Sequence, residues 1–242
     1  RWGYKRGKQD AAKFLKYEED VVEPTYQTLK AELIDKDIFD PIAIYAYYPC
    51  ISHDNKLYIF DRKYLFNTLE ESKNIPPLSE AIKVLEFPRQ KRKPFRCIAD
   101  FFANDRLDVV GFTLASAGLK ISDYEREFYD RGEFTKYYQI HGLGVELAEA
   151  LAEVLHKQIR LDWDIVPKEG HKLSDVQMKQ YVGCRYSPGY AACPELSQNR
   201  DIFDLLNPEK YGIELSETFQ MHPEQTTCAI VVHNKEANYY NV

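Results

Sequence analysis

The sequence predicts an α+β domain with a mainly antiparallel, twisted sheet and flanking helices. Apolar runs rich in β-branched and aromatic residues occur in pairs around polar turns, which is typical of hairpins, and the helical stretches do not alternate with them in regular βαβ units. The 18 Tyr and 13 Phe residues of this 242-residue chain agree with a sheet-rich domain, because aromatic side chains favour strands. No internal repeat or low-complexity linker is visible, so we expect one domain over residues 1–242.

Helical spacing of apolar side chains marks two long regions. Residues 10–36 form the first, and Pro24 lies where it can occupy the first turn of a second helix, because its missing N–H costs little there. Residues 120–160 form the second and are predicted to be mostly helical. Shorter helices are predicted at about 174–181 and over 197–206, and Ser197 lies near the N-cap of the second of these.

The strands are predicted in pairs. The first pair is a hairpin with a longish loop around a polar turn at 53–55, and the last is a pair around a turn at 233–235. The six predicted strands are Ile42–Tyr48, Leu57–Phe60, Ile82–Phe87, Leu107–Ala115, Thr227–Val232 and Tyr239–Val242.

The composition argues against several classes of protein. A net charge of -6 argues against a nucleic-acid binder, which is usually basic. No apolar run approaches the length of about 20 residues that a membrane-spanning helix needs, and no secretory signal region is present. The 5 cysteines are irregularly spaced without a CxxC pair, so we expect reduced thiols and a cytoplasmic protein.

Common cofactor and metal motifs are missing from the sequence. It has no GxGxxG after a strand, no GxxxxGK[ST] loop and no GxSxG elbow. Cys50 and His53 form a lone pair, whereas zinc needs about three or four ligands. The basic stretch Arg89–Lys93 is interpreted as a solvated hairpin loop, with an anion-binding patch as the alternative.

The segment Arg185–Pro194 combines unusual backbone chemistry with side chains suited to a ligand. Pro188 and Gly189 exclude regular helix or central strand. Arg185 supplies a fork of N–H donors that suits a carboxylate, and Tyr190 adds an aromatic face and a hydroxyl. These residues alone fit equally well a pocket for a small zwitterion with an aromatic portion and an Arg-capped tight turn under the sheet.

This segment resembles the RxxxGY motif of the C-terminal activation domain of cobalamin-dependent methionine synthase, and the likeness extends in the same order over nearly the whole chain. Other stretches that resemble this family are Trp2–Tyr4, Val22–Thr25, Tyr45–Cys50, Phe87–Gln90, Cys97–Phe102, His141–Leu143, Leu147–Ala150, Ala152–Glu153, Leu155–His156, Leu215–Phe219 and Tyr239–Tyr240.

The resemblance implies a function. A domain of this family binds S-adenosylmethionine and supports the reductive methylation of cob(II)alamin, which restores methylcobalamin in methionine synthase. The resemblance further implies that cobalamin is carried by another domain of the same polypeptide or by a corrinoid protein, and that flavodoxin or an equivalent donor supplies the electron. Since the chain begins at Arg1 and stops at Val242, directly after an aromatic stretch, we expect a fragment, truncated at both ends, of a longer multidomain enzyme that is not active alone.

The resemblance also implies site residues. Arg185 corresponds to the residue that binds the methionine carboxylate, and the backbone around Ser187 and Gly189 to the part that contacts the adenosyl group. The remaining residues expected to line the pocket are Tyr190, Tyr239, Tyr240 and Glu149, the last with a solvated helix face as the alternative.

Two departures from the family pattern qualify the expected pocket. An aspartate contact of the family lies upstream of the region that begins at Trp2, and Ser187 stands where a small apolar residue often occurs. Gln139 stands where the cobalt-binding Asp-x-His-x-x-Gly motif has its Asp, so His141 is interpreted as a packing or capping residue. Two alternative functions are a non-catalytic domain that docks on a corrinoid protein and a free-standing reactivation protein that acts in trans.

Overall fold

A six-stranded antiparallel sheet forms the centre of the computed structural model, which describes residues 2, 7, 10–166, 172, 174 and 181–242. Its strands are β1 (Ile42–His53), β2 (Lys56–Ile59), β3 (Lys83–Glu86), β4 (Asp108–Ser116), β5 (Cys184–Tyr186) and β8 (Thr226–Val232). Their spatial order is β3-β2-β1-β4-β8-β5, and every neighbouring pair is antiparallel. Two short strands, β6 (Glu214–Leu215) and β7 (Met221–His222), pair separately. The predicted α+β class with a mainly antiparallel sheet is confirmed.

The helices flank this sheet. They are α1 (Ala11–Tyr17), α2 (Glu23–Asp35), α3 (Leu119–Asp130), α4 (Phe134–Asp162) and α5 (Gln198–Leu206). A π-helical turn, Glu18–Val22, joins α1 to α2, and Pro24 lies in the first turn of α2 as predicted. Within the part of the chain that the structure describes, every helix is either too short or too polar to cross a membrane.

The pleat of the sheet separates two packed faces. Because side chains alternate along a strand, Phe112 and Leu114 of β4 lie in the main core with Ile202 and Phe203 of α5. The alternate residues of β4 point to the opposite face, where α4 packs across β4 and β8. On this face Ala115 contacts the side of the helix that carries Ala152 and Leu155. The sheet therefore holds α4 in a fixed position above β4, β8 and the edge strand β5.

A second core fixes the N-terminal helices. Leu29 and Leu33 of α2 are buried against Ile121 and Phe128 of α3 and Ile140 of α4. The hydroxyl of Tyr124 donates to Glu32, and Lys36 donates to the same hydroxyl. This cluster ties α2 and α3 to the long helix that borders the sheet.

Several predicted elements differ from the structure in extent. β1 continues to His53, because Cys50–Ser52 are buried in the sheet, so the hairpin loop is a two-residue turn rather than a long loop. Asp54 in this turn has φ 53°, a conformation that Asp tolerates better than most residues. The loop at Arg89–Lys93 does not join a hairpin, because β4 pairs with β1 and not with β3.

The prediction of a last strand over Tyr239–Val242 is wrong. These residues have no strand pairing, and Tyr240 is instead buried against Phe101 and Tyr186. The aromatic pattern there reflects packing of side chains rather than a ladder of backbone hydrogen bonds. The predicted helix at about 174–181 lies outside the described residues, except for its two end positions.

Candidate functional site

Arg185 lies on the edge strand β5 and points toward α4. Its Nη2 donates to Glu153 Oε1 at 2.7 Å, and its Nη1 donates to the carbonyl oxygen of Ala152 at 3.1 Å. The same Nη1 lies 3.4 Å from Nδ1 of His156. Arg185 pairs with Val231 in the sheet, which fixes the register of β5 relative to β8. In this register the guanidinium lies against one turn of α4.

The charges around this guanidinium follow from burial. Burial alone would lower the pKa of Arg185, but the carboxylate of Glu153 outweighs that effect and raises it, so Arg185 is always a cation here. Burial, with the neighbouring cations Arg185 and Arg160, lowers the pKa of His156 to about 2. His156 is therefore neutral at pH 7. Because Arg can only donate hydrogen bonds, Nδ1 of His156 acts as the acceptor and the ring hydrogen lies on Nε2.

A cavity of about 270 Å³ opens beside Arg185, between α4 and strands β4 and β8. Five residues predicted from the sequence line it: Glu149, Arg185, Ser187, Tyr190 and Tyr239. The other lining residues are Thr113, Ala152, Thr227, Cys228 and Ala229. The structure thus brings Glu149 and Tyr239, which are far away in the sequence, to the same space as the neighbouring residues Arg185, Ser187 and Tyr190.

A second cavity of about 240 Å³ adjoins the first and is lined by Tyr240. It shares Ser187, Tyr190 and Tyr239 with the first cavity and is also lined by the residues from Ala191 to Cys193. Each cavity alone is smaller than the roughly 300–1,000 Å³ of a typical ligand site, whereas the two together fall within that range. The shared residues form the boundary between a charged half and an aromatic half.

The loop after β5 is folded on itself. Gly189 has φ 88°, and its N–H donates to the carbonyl of Cys193 at 2.8 Å. The N–H of Cys193 donates back to the carbonyl of Tyr190, and Tyr190 is 65% exposed. Gly189 does not itself line either cavity; its positive φ is what turns the chain so that Tyr190 stands at the cavity rim.

Aromatic rings support the far wall of the site. Tyr186 lies close to the rings of both Tyr239 and Tyr240, and its hydroxyl donates to the carbonyl of Asn238 at 2.8 Å. Burial raises the pKa of Tyr239 to about 12, so this hydroxyl is protonated at neutral pH. Tyr186 therefore fixes the segment that carries both tyrosines.

The chain matches a known family over most of its length. The family "Vitamin B12 dependent methionine synthase, activation domain" matches residues 9–242. The chain belongs to this family.

Relatives and a solved structure agree with this assignment. The chain is 36% identical to methionine synthase of Mycobacterium tuberculosis and 35% identical to that of Mycobacterium leprae, each over 212 residues, 82% of this chain and 17% of the relative. The chain thus spans about a sixth of the length of these relatives. The crystal structure of the MetH reactivation domain bound to AdoHcy has a TM-score of 0.78 and 24% identity, over 93% of this chain and 71% of that chain, which shows a shared fold.

A groove larger than either of these cavities lies away from the predicted site residues of this activation-domain chain. It has a volume of about 680 Å³ and runs between α2 and α4, lined by mainly apolar residues such as Trp2, Val22, Tyr26 and Leu147. None of the seven site residues predicted from the sequence lines it. The smaller cavity, in contrast, is lined by an arginine, a glutamate and several hydroxyl groups.

His141 has partners typical of a packing residue. Its Nδ1 lies 3.2 Å from Glu125 and 3.1 Å from the side-chain nitrogen of Gln225, which links α4 to α3 and to the segment before β8. Among the described residues, no group of three or more His, Cys, Asp or Glu side chains could hold a metal ion.

Sequence reasoning did not identify two of the groups that contact Arg185. Glu153 and His156 lie four and seven positions after Glu149, on the same side of α4. That spacing is the signal that could have found them, since residues three, four and seven apart share a helix face.

Proposed function

We propose that this chain binds S-adenosylmethionine in the cavity beside Arg185 and supports reductive methylation of cob(II)alamin in a methionine synthase. The observation that carries the proposal is that five predicted site residues line one cavity whose only described arginine is Arg185. Family membership supports it, as does the AdoHcy bound to the structural relative.

The two halves of the site suit the two ends of this ligand. Arg185 would bind the carboxylate of the methionine part, and Glu149, which lines the same cavity, would lie near the positively charged part of the ligand. Ser187, Tyr190 and Tyr239 border both cavities, and Tyr240 lines the aromatic one, where the adenosyl group would lie. Gly189 would contribute through the backbone turn that places Tyr190.

The methyl acceptor belongs to a different part of the system. We propose that a cobalamin-binding domain of the same polypeptide, or a separate corrinoid protein, presents cobalamin to the open rim near Tyr190. When bound and reduced by one electron, that cofactor would supply the nucleophilic cobalt that accepts the methyl group, with S-adenosylhomocysteine as the leaving group. The residues of this chain would hold and orient the methyl donor. Flavodoxin or an equivalent protein would supply the electron. The chain would then be one domain of a longer methyltransferase, or a reactivation protein that works in trans.

Titration calorimetry of this chain with S-adenosylmethionine tests the proposal. Arg185→Ala should weaken binding by roughly 1.5–3 kcal/mol, because it removes the charge-assisted hydrogen bonds to the ligand carboxylate. Arg200→Ala is a matched control, since Arg200 is exposed on α5 and pairs with Glu209 outside both cavities. Equal affinity of Arg185→Ala and wild type would remove Arg185 from the site. Absence of any binding by wild type would favour the alternative of a non-catalytic docking domain.

A further inference from the structure

Three contacts with a single turn of α4 hold the guanidinium of Arg185. The carboxylate of Glu153, the carbonyl of Ala152 and Nδ1 of His156 surround its two terminal nitrogens. Glu153 is itself restrained, because the hydroxyl of Tyr181 lies 3.4 Å from its second oxygen. The side chain of Arg185 is only 12% exposed, so its orientation is set by these contacts rather than by solvent.

These contacts leave donors for a ligand. A guanidinium has five N–H donors, and the three contacts use at most three of them. The Nε hydrogen and one Nη2 hydrogen have no partner among the described residues, and a carboxylate binds two such donors at once. A ligand carboxylate can therefore bind Arg185 without displacing Glu153.

Glu153 lies outside the ligand cavity, in contrast to the glutamate one turn earlier. Glu149 lines the cavity of about 270 Å³ together with Arg185, whereas Glu153 lines a separate, smaller space of about 130 Å³ that Arg185 also lines. Glu153 does not line the larger cavity but contacts Arg185, which does. Any effect of Glu153 on the ligand then passes through Arg185.

We infer that Glu153 is a positioning residue for the methyl donor: it fixes the Arg185 guanidinium so that its remaining donors meet the carboxylate of S-adenosylmethionine. The inference rests on the proposed function. The pair also neutralises its own charge, so the site selects a carboxylate by the direction of its donors and not by an excess of positive charge. Glu153 thus restricts the site to ligands that place a carboxylate at one point.

The test compares two ligands that differ only in the carboxylate: S-adenosylmethionine and its decarboxylated form, S-adenosylmethioninamine. Calorimetry with this chain should show that Glu153→Ala weakens S-adenosylmethionine roughly tenfold or more, because the unbraced Arg185 loses its orientation. Glu153→Gln should stay within roughly threefold of wild type, because its amide oxygen still accepts from Nη2. Binding of the decarboxylated ligand should be the same for all three proteins.

Two further variants secure the interpretation. Glu153→Asp, whose carboxylate is one methylene shorter, should also weaken only the carboxylate-bearing ligand, and it serves if the Ala variant folds poorly. In an Arg185→Ala background, Glu153→Ala should have no additional effect. Glu146→Ala is the matched control, since Glu146 is an exposed glutamate of the same helix that lines the groove next to α2.

Three outcomes would overturn the inference. Equal loss of both ligands in Glu153→Ala would indicate general damage to the site. Tighter binding of S-adenosylmethionine by Glu153→Gln would show that Glu153 competes with the ligand for Arg185. Failure of wild type to bind S-adenosylmethionine would overturn the proposed function itself and the inference with it, and this result is distinct from the other two because it is seen before any variant is made.

Discussion

At the scale of single residues, the site depends on a backbone turn just before Arg185. Gly183 has φ 91°, and a Cβ at this position would lie 2.5 Å from the carbonyl oxygen of Val232. That carbonyl belongs to β8, the strand on which β5 is paired. The close approach of these two backbones therefore sets where Arg185 enters the site, and only glycine lacks the atom that would separate them.

Gly183→Ala should lower the free energy of unfolding by roughly 1–3 kcal/mol from backbone strain alone, with the contact to Val232 adding to the loss. It should also weaken binding of S-adenosylmethionine, because β5 must shift away from β8 and carry Arg185 with it. Urea unfolding and calorimetry measure the two effects. Gly132→Ala is the control: its φ is 75°, but its added Cβ would meet no atom within 4 Å, so it reports the strain without the collision. Equal losses in the two variants would show that the contact with Val232 is unimportant.

The elements of the fold were predicted from the sequence to different degrees. Apolar runs rich in β-branched and aromatic residues identified β1, β2, β3, β4 and β8, and the 3.6-residue periodicity identified α4, because both patterns reflect which side chains are buried. The order of the strands was not predictable from these patterns, since β5 and β8 pair across a long stretch of chain. Tyr239 and Tyr240 imitate a strand because buried aromatic packing and strand pairing favour the same residue types.

The candidate site shows the same limit. The chemistry of Arg185 and Tyr190 was visible in the sequence, and family resemblance pointed to Glu149. The contacts of Glu153 and His156 with Arg185 were not predicted: both residues lie in stretches that resemble the family, but nothing in the sequence assigned them a role in the site. Their roles depend on which face of α4 meets β5, and that is decided by tertiary packing.

The contact between the end of β8 and the start of β4 makes the stability of the fold depend on pH. His233, directly after β8, has its Nε2 2.7 Å from the carboxylate of Asp108 at the start of β4. The hydrogen bond with Asp108 raises the pKa of His233 although burial opposes it. Burial would raise the pKa of Asp108, but His233 and two backbone N–H groups outweigh burial and hold it below its usual value. Trp163 and Phe102 pack edge-on against the His233 ring.

We expect the free energy of unfolding to be lower at about pH 9 than at about pH 6. His233 has a raised pKa in the folded state, so its contribution is complete below its unfolded pKa of about 6.5 and is lost as the pH rises through the folded value. Asp108 is ionised throughout this range and adds no slope. The contribution should be roughly 0.5–1.5 kcal/mol, because the His233 side chain is about one-third exposed and solvent weakens the pair. Urea unfolding at both pH values measures it. His233→Asn should show a smaller decrease than wild type, and the decrease that remains comes from buried thiols such as Cys193 and Cys228, whose raised pKa values also favour unfolding at pH 9. A variant with the same pH dependence as wild type would contradict the assignment.

At the scale of the whole molecule, α4 connects the proposed ligand site to the rest of the fold. Its first half packs on α2 and α3 through Ile140, and its second half supplies Glu149, Glu153 and His156 to the site. The opposite walls of the cavity come from β4, β5, β8 and the segment after β8. A ligand in this cavity would contact parts of the chain that only the complete fold brings together, so binding and global stability should be linked.

This linkage gives a prediction for the thermal stability of the chain. A ligand that binds only the folded state stabilises it by about 2.7 kcal/mol when its free concentration is 100 times its Kd. For a domain of this size, that corresponds to a rise in Tm of roughly 5–10 °C. Thermal denaturation with S-adenosylmethionine should show this rise, and Arg185→Ala at the same ligand concentration should show a much smaller one because fewer molecules are bound. Adenosine alone, which lacks the carboxylate, should raise the Tm of wild type and of Arg185→Ala equally. If S-adenosylmethionine at saturating concentration leaves the Tm of wild type unchanged, the chain does not bind the methyl donor, and docking on a corrinoid protein becomes the function that its fold best supports.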